Sequence, residues 1–450
     1  MVDVVLVFPR FNYRNFGPPL GALYLSRVLK DGNFSFEFID GTVVSYEKTV
    51  SKILELKPKF LLLSVHTVFA DNAEKLVREV KKKLPEIKVI VGGVHATIMP
   101  EKVMAWKGLN YLIVGEAEEV LPKLLENPEK FDKVCQGNQV KDLNKINFPL
   151  WNVLPEEYFM TGNMSVITSR GCPFNCAFCQ PTLNKLFGKG FRQRSPENVL
   201  KELLEIKKVF NEKGFALKKI SFTDDGLTFK KDFLKKLSEL LIENKYNVVW
   251  LANTRADTMP DKELILLMKK SGFRGFSIGV ESGNDVIRNE VLKKNLKKQA
   301  IIDAFKLCHE TSVESEAYIM VGSPKESWQT IKETVELLDV LQPTFSQVTI
   351  TSPLPETYLY DFAVENNLIE VKSWADFGYG DESHLKLENF SKQEIKRIQK
   401  AITYAIYFHE KFRKLKYSTL FYFFLNPVVN KSFISLQALR FKLKKLIRKG

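Results

Sequence analysis

Three of the five cysteines in this chain fall close together, within the string TSRGCPFNCAFCQ. Cys172, Cys176 and Cys179 have the spacing CxxxCxxC, and the neighbouring Gly171 and Pro173 disfavour a helix. The loop is therefore free to bring the sulfurs together. Three thiolates bind three irons of a cubane cluster and leave the fourth iron open. The motif predicts a 4Fe-4S cluster with one coordination site left for a small molecule.

Two simpler explanations fit these cysteines less well. Unpaired cysteines are common in hydrophobic cores, but chance would not gather three of five into one short loop. Structural zinc takes four Cys or His ligands, and the sequence offers neither a second CxxC pair nor a nearby His. We expect the remaining Cys135 and Cys308 to be ordinary buried or linker thiols.

The elements that must position this loop follow from alternating patterns. Along residues 1–125, short β-rich apolar runs alternate with helical stretches, which predicts βαβ units and a parallel sheet. Five such strands suit a doubly wound, Rossmann-like (flavodoxin-like) domain, whose ligand lies at the carboxyl ends of the strands. The residues expected at those ends include Gly17, Gly21, Ser64, His66, Gly92, Gly93, His95, Gly115 and Glu116.

Three further segments follow this domain. Pro and Asn interrupt residues 126–164 and leave no sustained period, which predicts a linker. Six strand-and-helix units over 165–365 predict a partial TIM-type barrel, with the cysteine loop after its first strand and the chemistry at the strand ends. Strand signals then stop, so residues 366–450 are expected to form a helical carboxyl-terminal region. The fold class is therefore α/β.

The cysteine loop and several later strings resemble the radical S-adenosylmethionine (radical SAM) superfamily. The strings follow in the order typical of its cobalamin-binding branch: SFTDDGLTF (221–229), WLANTRADTM (250–259), SIGVESGND (277–285), YIMVGSPKES (318–327) and TSPLPETYLYD (351–361). The resemblance implies that the open iron binds the amino and carboxylate groups of S-adenosylmethionine (SAM). It also implies that one electron cleaves SAM to methionine and a 5′-deoxyadenosyl radical.

The same resemblance implies roles for single side chains. Phe178 would lie beside the adenine of SAM. Glu281 and Ser282 would hydrogen-bond the ribose or the methionyl group, and Arg255 would pair with a carboxylate. Helix capping by Glu281 and an ion pair of Arg255 at the barrel mouth are the structural alternatives.

Two adjacent carboxylates stand where a barrel strand passes into a loop. Asp224 and Asp225 suit polar contact with the substrate or the cofactor. A turn or a helix cap is the competing interpretation, since Asp favours both.

Four amino-terminal strings resemble the cobalamin-binding domain of the same branch: FGPPLGALYLSRVLK (16–30), SVHTVF (64–69), VGGVHATIMPE (91–101) and VGEAEEVL (114–121). Cobalamin domains elsewhere ligate cobalt through the His of DxHxxG, but Asp-x-His is absent from this sequence. We therefore expect base-off cobalamin with no protein histidine on the cobalt, and His66 and His95 as loop or packing residues. GxGxxG is also absent, which argues against NAD or FAD. A Rossmann-like domain without a corrinoid stays open.

Positive charge is concentrated at one end of the chain. The net charge is +14, and the segment from Ser391 onward holds 15 Lys and Arg against two Glu. Within it, apolar residues recur at helical spacing beside basic ones, as in a helix that lies on an anionic membrane: Phe433, Leu436, Leu439 and Leu443. Packing of this stripe on the barrel and binding of RNA are the alternatives, and RNA is the weaker one. The start lacks a secretory signal, so we expect a cytoplasmic protein with at most peripheral contact at the inner face of the membrane.

The resemblance implies a cobalamin-dependent radical SAM methyltransferase. It would act on an unactivated carbon of a small-molecule or lipid-like substrate and take electrons from a flavodoxin or a ferredoxin. A cyclase or rearranging enzyme of the same branch is the nearest alternative, and a membrane- or RNA-binding protein with a relic barrel is one of another class. Methylthiotransferases fit less well, because their amino-terminal domain supplies three more cysteines and this chain offers only Cys135.

Overall fold

The computed structural model of the protein describes residues 2–11, 17–377, 382–409 and 415–426. The apolar stripe predicted for the carboxyl-terminal tail lies outside the described residues: Phe433, Leu436, Leu439 and Leu443. Across the described ranges, no helix is both long enough and apolar enough to span a membrane.

Strands and helices alternate through most of the chain. The strands are β1 (Val4–Phe8), β2 (Phe36–Asp40), β3 (Phe60–Ser64), β4 (Lys88–Gly92), β5 (Tyr111–Val114), β6 (Val134–Gln136), β7 (Asn163–Val166), β8 (Ser169–Arg170), β9 (Arg192–Gln193), β10 (Lys219–Phe222), β11 (Val249–Thr254), β12 (Phe273–Glu281), β13 (Glu314–Val321) and β14 (Phe345–Ile350). The α-helices are α1 (Leu20–Asp31), α2 (Tyr46–Leu56), α3 (Ala70–Lys83), α4 (Val94–Ile98), α5 (Pro100–Met104), α6 (Val120–Glu126), α7 (Glu156–Met160), α8 (Thr182–Phe187), α9 (Pro196–Glu212), α10 (Lys231–Glu243), α11 (Lys262–Lys270), α12 (Lys298–Thr311), α13 (Trp328–Leu341), α14 (Tyr358–Glu365), α15 (Lys392–His409) and α16 (Tyr417–Leu425).

The amino-terminal domain is built on a parallel sheet with the order β2-β1-β3-β4-β5-β6. Strands β1 and β3 are completely buried, because their nearly continuous apolar runs are covered on both faces by helices. The order reverses between β1 and β3, which opens a crevice at the carboxyl ends of the strands. This arrangement confirms the predicted doubly wound, flavodoxin-like domain.

One strand of that sheet comes from the segment for which the sequence predicts a linker. Strand β6 pairs with β5 and buries Cys135 against the apolar underside of the sheet. A run of three residues is too short to show the alternation of apolar and polar residues that predicts a strand. Only the pairing of these residues with the edge of β5 makes them a strand.

The second sheet forms the partial barrel, with six parallel strands in the order β14-β13-β12-β11-β10-β7. Along β13, Ala317 and Ile319 are buried beneath the outer helices, whereas Glu316 and Tyr318 alternate with them and are only half-buried on the concave side. The period of two therefore separates an apolar outer layer from a polar interior. The predicted partial (βα)6 barrel is confirmed.

The carboxyl-terminal region contacts both domains. Helix α15 packs on β14 and α16 packs on α13, and both share the hydrophobic core of the barrel. Before them, a 3-10 turn at Trp374–Phe377 reaches the amino-terminal domain, where the amide of Trp374 donates a hydrogen bond of 2.9 Å to Asp71. The predicted helical character of this region is confirmed for α15 and α16.

A buried carboxyl group fixes the turn that follows β13. Glu326 is 2% exposed, and its Oε2 accepts hydrogen bonds from the amides of Gly322 (2.5 Å) and Ser323 (3.2 Å). Burial raises the pKa of Glu326 to about 8, although the two backbone hydrogen bonds oppose the rise. The folded protein therefore keeps this carboxyl group protonated at neutral pH.

Replacement of Glu326 with Gln is expected to change how stability depends on pH. A carboxyl group with a raised folded-state pKa binds more protons in the folded than in the unfolded protein, so the wild type loses stability as pH rises from about 4.5 to 8. E326Q resembles the protonated form and should lose less over this interval. Urea unfolding at pH 5, 7 and 8.5 measures the difference. E336Q alters an exposed pair with Lys332 and serves as the control. Identical pH profiles for E326Q and the wild type would contradict the assignment.

Candidate active site

The three clustered cysteines lie on a single loop between β8 and α8. The amides of Cys179 (3.0 Å) and Gln180 (2.9 Å) both bond the carbonyl of Cys176, and the Gln180 side chain donates to the carbonyl of Cys172 (3.2 Å). These bonds close the loop on itself. The cysteine side chains are half-buried and unpaired by disulfides. The loop thus presents three thiols from one compact turn, as the CxxxCxxC spacing predicts.

Other loops fix the path of the cysteine loop from outside. The amide of Ala177 donates to the carbonyl of Leu292 (2.8 Å), and the carbonyl of Ala177 accepts from the amide of Leu359 (2.9 Å). At its start, Gly171 has φ +88°, and a Cβ there would lie 2.4 Å from the carbonyl oxygen of Gly190. Only glycine fits this approach. The segments after β12 and β14 therefore hold the loop that begins after β8.

The chemistry of these thiols suits a cluster. Burial raises the pKa of the Cys172 thiol to about 11 and also raises those of Cys176 and Cys179. A metal ligand must be the thiolate, so iron would displace the protons. Within the described part of the chain, no group of three His, Cys, Asp or Glu side chains meets at one metal ion. In a cubane each thiolate binds a different iron, and three cysteines on one loop provide that donor set.

Arg255 follows β11 and lies against the cysteine loop. Its Nη1 is 3.5 Å from Cys176 Sγ, and its guanidinium carbon is 3.7 Å from the centroid of the Phe174 ring. Asp257 accepts from its Nε (3.0 Å) and Nη2 (2.9 Å), and the carbonyl of Lys294 accepts from Nη2 (2.9 Å). The structure thus places Arg255 beside a predicted cluster ligand, with protein groups on most of its donors.

Glu281 and Ser282 end β12, and they have different surroundings. Glu281 has φ +62°, and its Oε1 accepts a 2.5 Å hydrogen bond from the ammonium of Lys294. Ser282 is completely buried, and its Oγ accepts from the amide of Asn284 (3.2 Å) and contacts Thr334 Oγ1 (3.3 Å). Glu281 is therefore half of a buried ion pair, whereas Ser282 closes the turn after the strand.

The two adjacent aspartates have separate environments. Asp224 is 3% exposed, and its Oδ1 accepts from the amide (2.7 Å) and hydroxyl (2.8 Å) of Thr168 and from the hydroxyl of Ser169 (2.5 Å). It braces the strand end that leads into the cysteine loop. The Asp225 side chain instead stays accessible, and its charge acts on the Cys172 thiol. Desolvation followed by the charge of Asp224 raises the pKa of Asp225 to about 6. Of the pair, Asp225 is the one whose carboxylate is accessible.

A cleft of about 300 Å³ lies at the carboxyl ends of the amino-terminal strands. Six residues predicted for a cofactor line it: Gly21, Ser64, His66, Gly93, Gly115 and Glu116. The barrel side adds Ile167, Arg170, Leu186 and Phe187. The last two belong to α8, directly after the cysteine loop. No motif identifies them in the sequence, because their role depends on the docking of α8 against α4.

Three residues predicted for this site do not line the cleft. The carbonyl of Gly92 bonds the amide of Val65 within the sheet edge (2.9 Å). Gly17 lies beside β7, where a Cβ would be 3.1 Å from Ser165 Oγ. His95 is completely buried and packs on Trp106 and Trp374 instead of lining the cleft. Sharing a loop with cleft residues does not decide which way a side chain turns.

The two histidines of the amino-terminal domain face opposite ways. His66 opens into the cleft, with its ring 5.4 Å from that of Phe8. Desolvation, followed by the charge of Arg10, lowers the pKa of His66 to about 4. His95 is completely buried, and its ring centroid lies 6.4 Å from that of Trp106 and 4.8 Å from that of Trp374. Burial lowers the pKa of His95 to about 4 as well. Both imidazoles are neutral at pH 7, and only His66 is available to a ligand in the cleft.

A buried network of charges joins the two domains at the cleft. Arg170 pairs with Glu118 (2.5 Å) and Glu116 (3.2 Å), and Arg192 also pairs with Glu116. Burial would raise the pKa of Glu116, but the hydrogen bond from Arg192 and the charge of Arg170 bring it below its usual value. Arg170 stands two residues before Cys172, so the network connects the wall of the cleft to the base of the cysteine loop.

Comparison with known proteins agrees with both halves of this site. Residues 9–125 match the family described as the B12 binding domain, and residues 166–338 match the radical SAM superfamily. The chain is 25% identical, over 88% of its length, to a protein named an uncharacterized methyltransferase from Pyrococcus horikoshii, and covers 89% of that protein. It is 27% identical, over 79% of its length, to the anaerobic magnesium-protoporphyrin IX monomethyl ester cyclase of Cereibacter sphaeroides, of which it covers 63%.

Two solved structures share the fold. The radical SAM methyltransferase TsrM from Kitasatospora setae, with cobalamin and a [4Fe-4S] cluster bound, aligns with a TM-score of 0.66 at 17% identity, over 81% of this chain and 75% of that one. The cobalamin-dependent radical enzyme OxsB, with aqua-cobalamin and SAM bound, aligns with a TM-score of 0.66 at 16% identity, over 98% and 71%.

The partial barrel, the cysteine loop and the match over 166–338 define a radical SAM enzyme. More particularly, it carries a B12 binding domain on the amino-terminal side of its radical SAM domain.

Alanine substitutions at the two histidines are expected to change different properties: H95A the stability and H66A the binding of hydroxocobalamin. H95A leaves a cavity between two tryptophans, so it should cost about 2–5 kcal/mol of unfolding free energy and keep hydroxocobalamin binding. H66A should leave stability within about 0.5 kcal/mol and weaken hydroxocobalamin binding, without moving the cobalt absorption bands. Urea unfolding and absorption titration measure both. A strong spectral change in H66A would make His66 a cobalt ligand and the expected base-off form wrong.

Proposed function

We propose that this protein transfers a methyl group to an unactivated carbon of a small-molecule or lipid-like substrate, using a 4Fe-4S cluster, SAM and cobalamin. The observation that carries the proposal is that one short segment serves both candidate cofactor sites. The cysteine loop leads directly into α8, and Leu186 and Phe187 of α8 form a wall of the amino-terminal cleft. Two cofactor sites joined in this way suit a reaction that needs a radical and a methyl carrier at one substrate.

Particular residues would hold each group. Cys172, Cys176 and Cys179 would bind the cluster, and Phe178, Asp225 and Glu281 are the proposed contacts for SAM. His66, Ser64 and the loops at Gly93 and Gly115 would contact the corrin. When bound, the cluster would supply one electron for the cleavage of SAM to a carbon radical, and the corrinoid would supply the methyl group. The cavity residues themselves bind, orient and exclude water.

The concave face of the barrel offers a surface for the substrate. Ser277 Oγ donates a 2.7 Å hydrogen bond to Glu316 Oε2. Tyr318 is two residues after Glu316 on β13 and therefore lies on the same face of the sheet. Burial raises the pKa of Tyr318, so its hydroxyl keeps its proton. These hydroxyl and carboxylate groups suit the polar part of a substrate whose reacting carbon faces the cysteine loop.

A cyclisation without methyl transfer is the second candidate. It is favoured by the similarity to the cyclase of Cereibacter sphaeroides. The two reactions differ in their products, because methyl transfer consumes SAM as a methyl donor and releases S-adenosylhomocysteine. A methylated product together with S-adenosylhomocysteine supports the first candidate, and their absence during turnover supports the second.

We also propose two kinds of partner. A flavodoxin or ferredoxin would supply the electron. An anionic membrane would meet the carboxyl-terminal region, where Tyr422 and Phe423 on α16 are 52% and 57% exposed. Lys and Arg flank α16 in the sequence on both sides. Aromatic side chains with neighbouring basic residues suit a lipid surface better than a nucleic acid.

Loss of any loop cysteine is expected to abolish SAM cleavage. Protein reconstituted anaerobically should bind about four irons and, once reduced, convert SAM to 5′-deoxyadenosine. C172A, C176A and C179A should each lose this product, measured by chromatography and iron assay. C135A and C308A are the controls, because Cys135 and Cys308 are buried in the cores, away from the loop. Full cleavage by a triple loop variant would reject the cluster.

The double substitution of Tyr422 and Phe423 with Ser is expected to lower the fraction of protein that sediments with phosphatidylglycerol vesicles. Deletion of residues 427–450 should do the same, since each basic residue near an anionic surface contributes about 1 kcal/mol. SAM cleavage should survive both changes. V340S removes an apolar side chain that is 60% exposed on α13 and is the matched control. If the full chain fails to sediment with these vesicles even at low salt, the membrane contact is wrong.

A further inference from the structure

Arg255 is held in a fixed position under the cysteine loop. It is 8% exposed, and its plane is set by two hydrogen bonds to Asp257 and one to the carbonyl of Lys294. The ring of Phe174 lies 3.7 Å from the guanidinium carbon. A planar cation bound on several sides loses little further freedom when it makes one more contact.

The remaining contact of this guanidinium is with a sulfur. Nη1 of Arg255 lies 3.5 Å from Sγ of Cys176, within range of an N–H···S hydrogen bond. An arginine has five N–H donors. Nε, both hydrogens of Nη2 and one of Nη1 are accounted for, so a single N–H is left. A bidentate pair with a carboxylate needs two parallel N–H donors. The geometry therefore does not favour the role in carboxylate binding that the sequence resemblance implies for Arg255.

We infer that Arg255 is a positioning residue that hydrogen-bonds the Cys176 ligand and makes the 4Fe-4S cluster easier to reduce. The inference rests on the proposed cluster at Cys172, Cys176 and Cys179. One-electron reduction by a low-potential donor adds one negative charge to the cluster, and no bond forms or breaks in that step. A nearby cation and a hydrogen bond to a ligand sulfur stabilise the more negative state. Arg255 supplies both at one atom.

A second cation nearby has a different partner. The charge of Lys294 also acts on the Cys176 thiol, but the ammonium donates its hydrogen bond of 2.5 Å to Glu281. The carboxylate that pairs with Arg255, Asp257, is on the side away from Nη1, because it binds Nε and Nη2. Arg255 is accordingly the cation whose N–H points at a cluster ligand.

The test is a redox titration of reconstituted protein, followed by the electron paramagnetic resonance signal of the reduced cluster. R255Q removes the charge and is expected to lower the midpoint potential. A tenfold fall in the ratio of reduced to oxidised cluster at fixed potential corresponds to about 59 mV for one electron. R255K keeps the charge and should shift the potential less. R274Q is the control, because Arg274 pairs with Glu314 in an exposed position on β12.

The affinity for SAM, measured by equilibrium dialysis, separates the outcomes. Lowered potential with unchanged SAM affinity supports the inference. An unchanged midpoint potential with weakened SAM binding overturns the inference and supports the role in carboxylate binding that the resemblance implies for Arg255. If R255Q loads fewer than four irons, R255K and D257N decide. R255K removes the guanidinium N–H that faces Cys176, and D257N weakens the contacts that orient it, so both should change the potential although both keep the cation. An unchanged potential in both would also overturn the inference. Failure of the wild-type chain to form a cluster would reject the proposed function instead.

Discussion

The backbone hydrogen bonds that hold the cysteine loop are the constraint on which the rest of this site depends. A short loop with glycine and proline has no regular structure to fix it. Ala177, between the second and third cysteines, bonds on one side to Leu292 and on the other to Leu359. Those partners follow the fourth and the last strands of the barrel, so the loop takes its shape only when the sheet has formed. The three thiols are thereby positioned by the whole barrel.

The same dependence links the two domains. Charged groups buried at an interface pay a desolvation cost, and they favour one geometry because an unpaired member would be strongly destabilising. Here Arg170 and Arg192 of the barrel meet Glu116 and Glu118 of the amino-terminal domain. The carboxyl-terminal region adds a second connection through Trp374, which packs on His95. The cleft therefore has a defined position relative to the cysteine loop, as a reaction shared between two cofactors requires.

The shared scaffold also explains why related proteins carry different names. A methyltransferase and a cyclase are both similar to this chain, and the cleft and the cysteine loop are the parts of the site to which the two family matches correspond. We propose that differences in reaction arise on the concave face of the barrel, where the proposed substrate would lie. In this chain that face carries three polar residues that no sequence motif identified as a site: Ser277, Glu316 and Tyr318.

Local features could be predicted from the amino-acid sequence alone. Alternating apolar runs indicate the two parallel sheets, because periods of two and of 3.6 residues are set by neighbouring positions along the chain. The CxxxCxxC spacing likewise identifies the loop, because the ligands lie a few residues apart. The direction and the partners of single side chains depend instead on tertiary contacts. Asp224 and Asp225 are adjacent, yet Asp224 is buried and bonds Thr168, whereas Asp225 stays accessible. His66 enters the cleft while His95 packs on Trp374, a residue far along the chain. Tertiary contacts also determine three other features: the pairing of strand β6, the wall of the cleft formed by α8, and the contact of Arg255 with Cys176. Each depends on burial against groups distant in sequence, which no local pattern encodes.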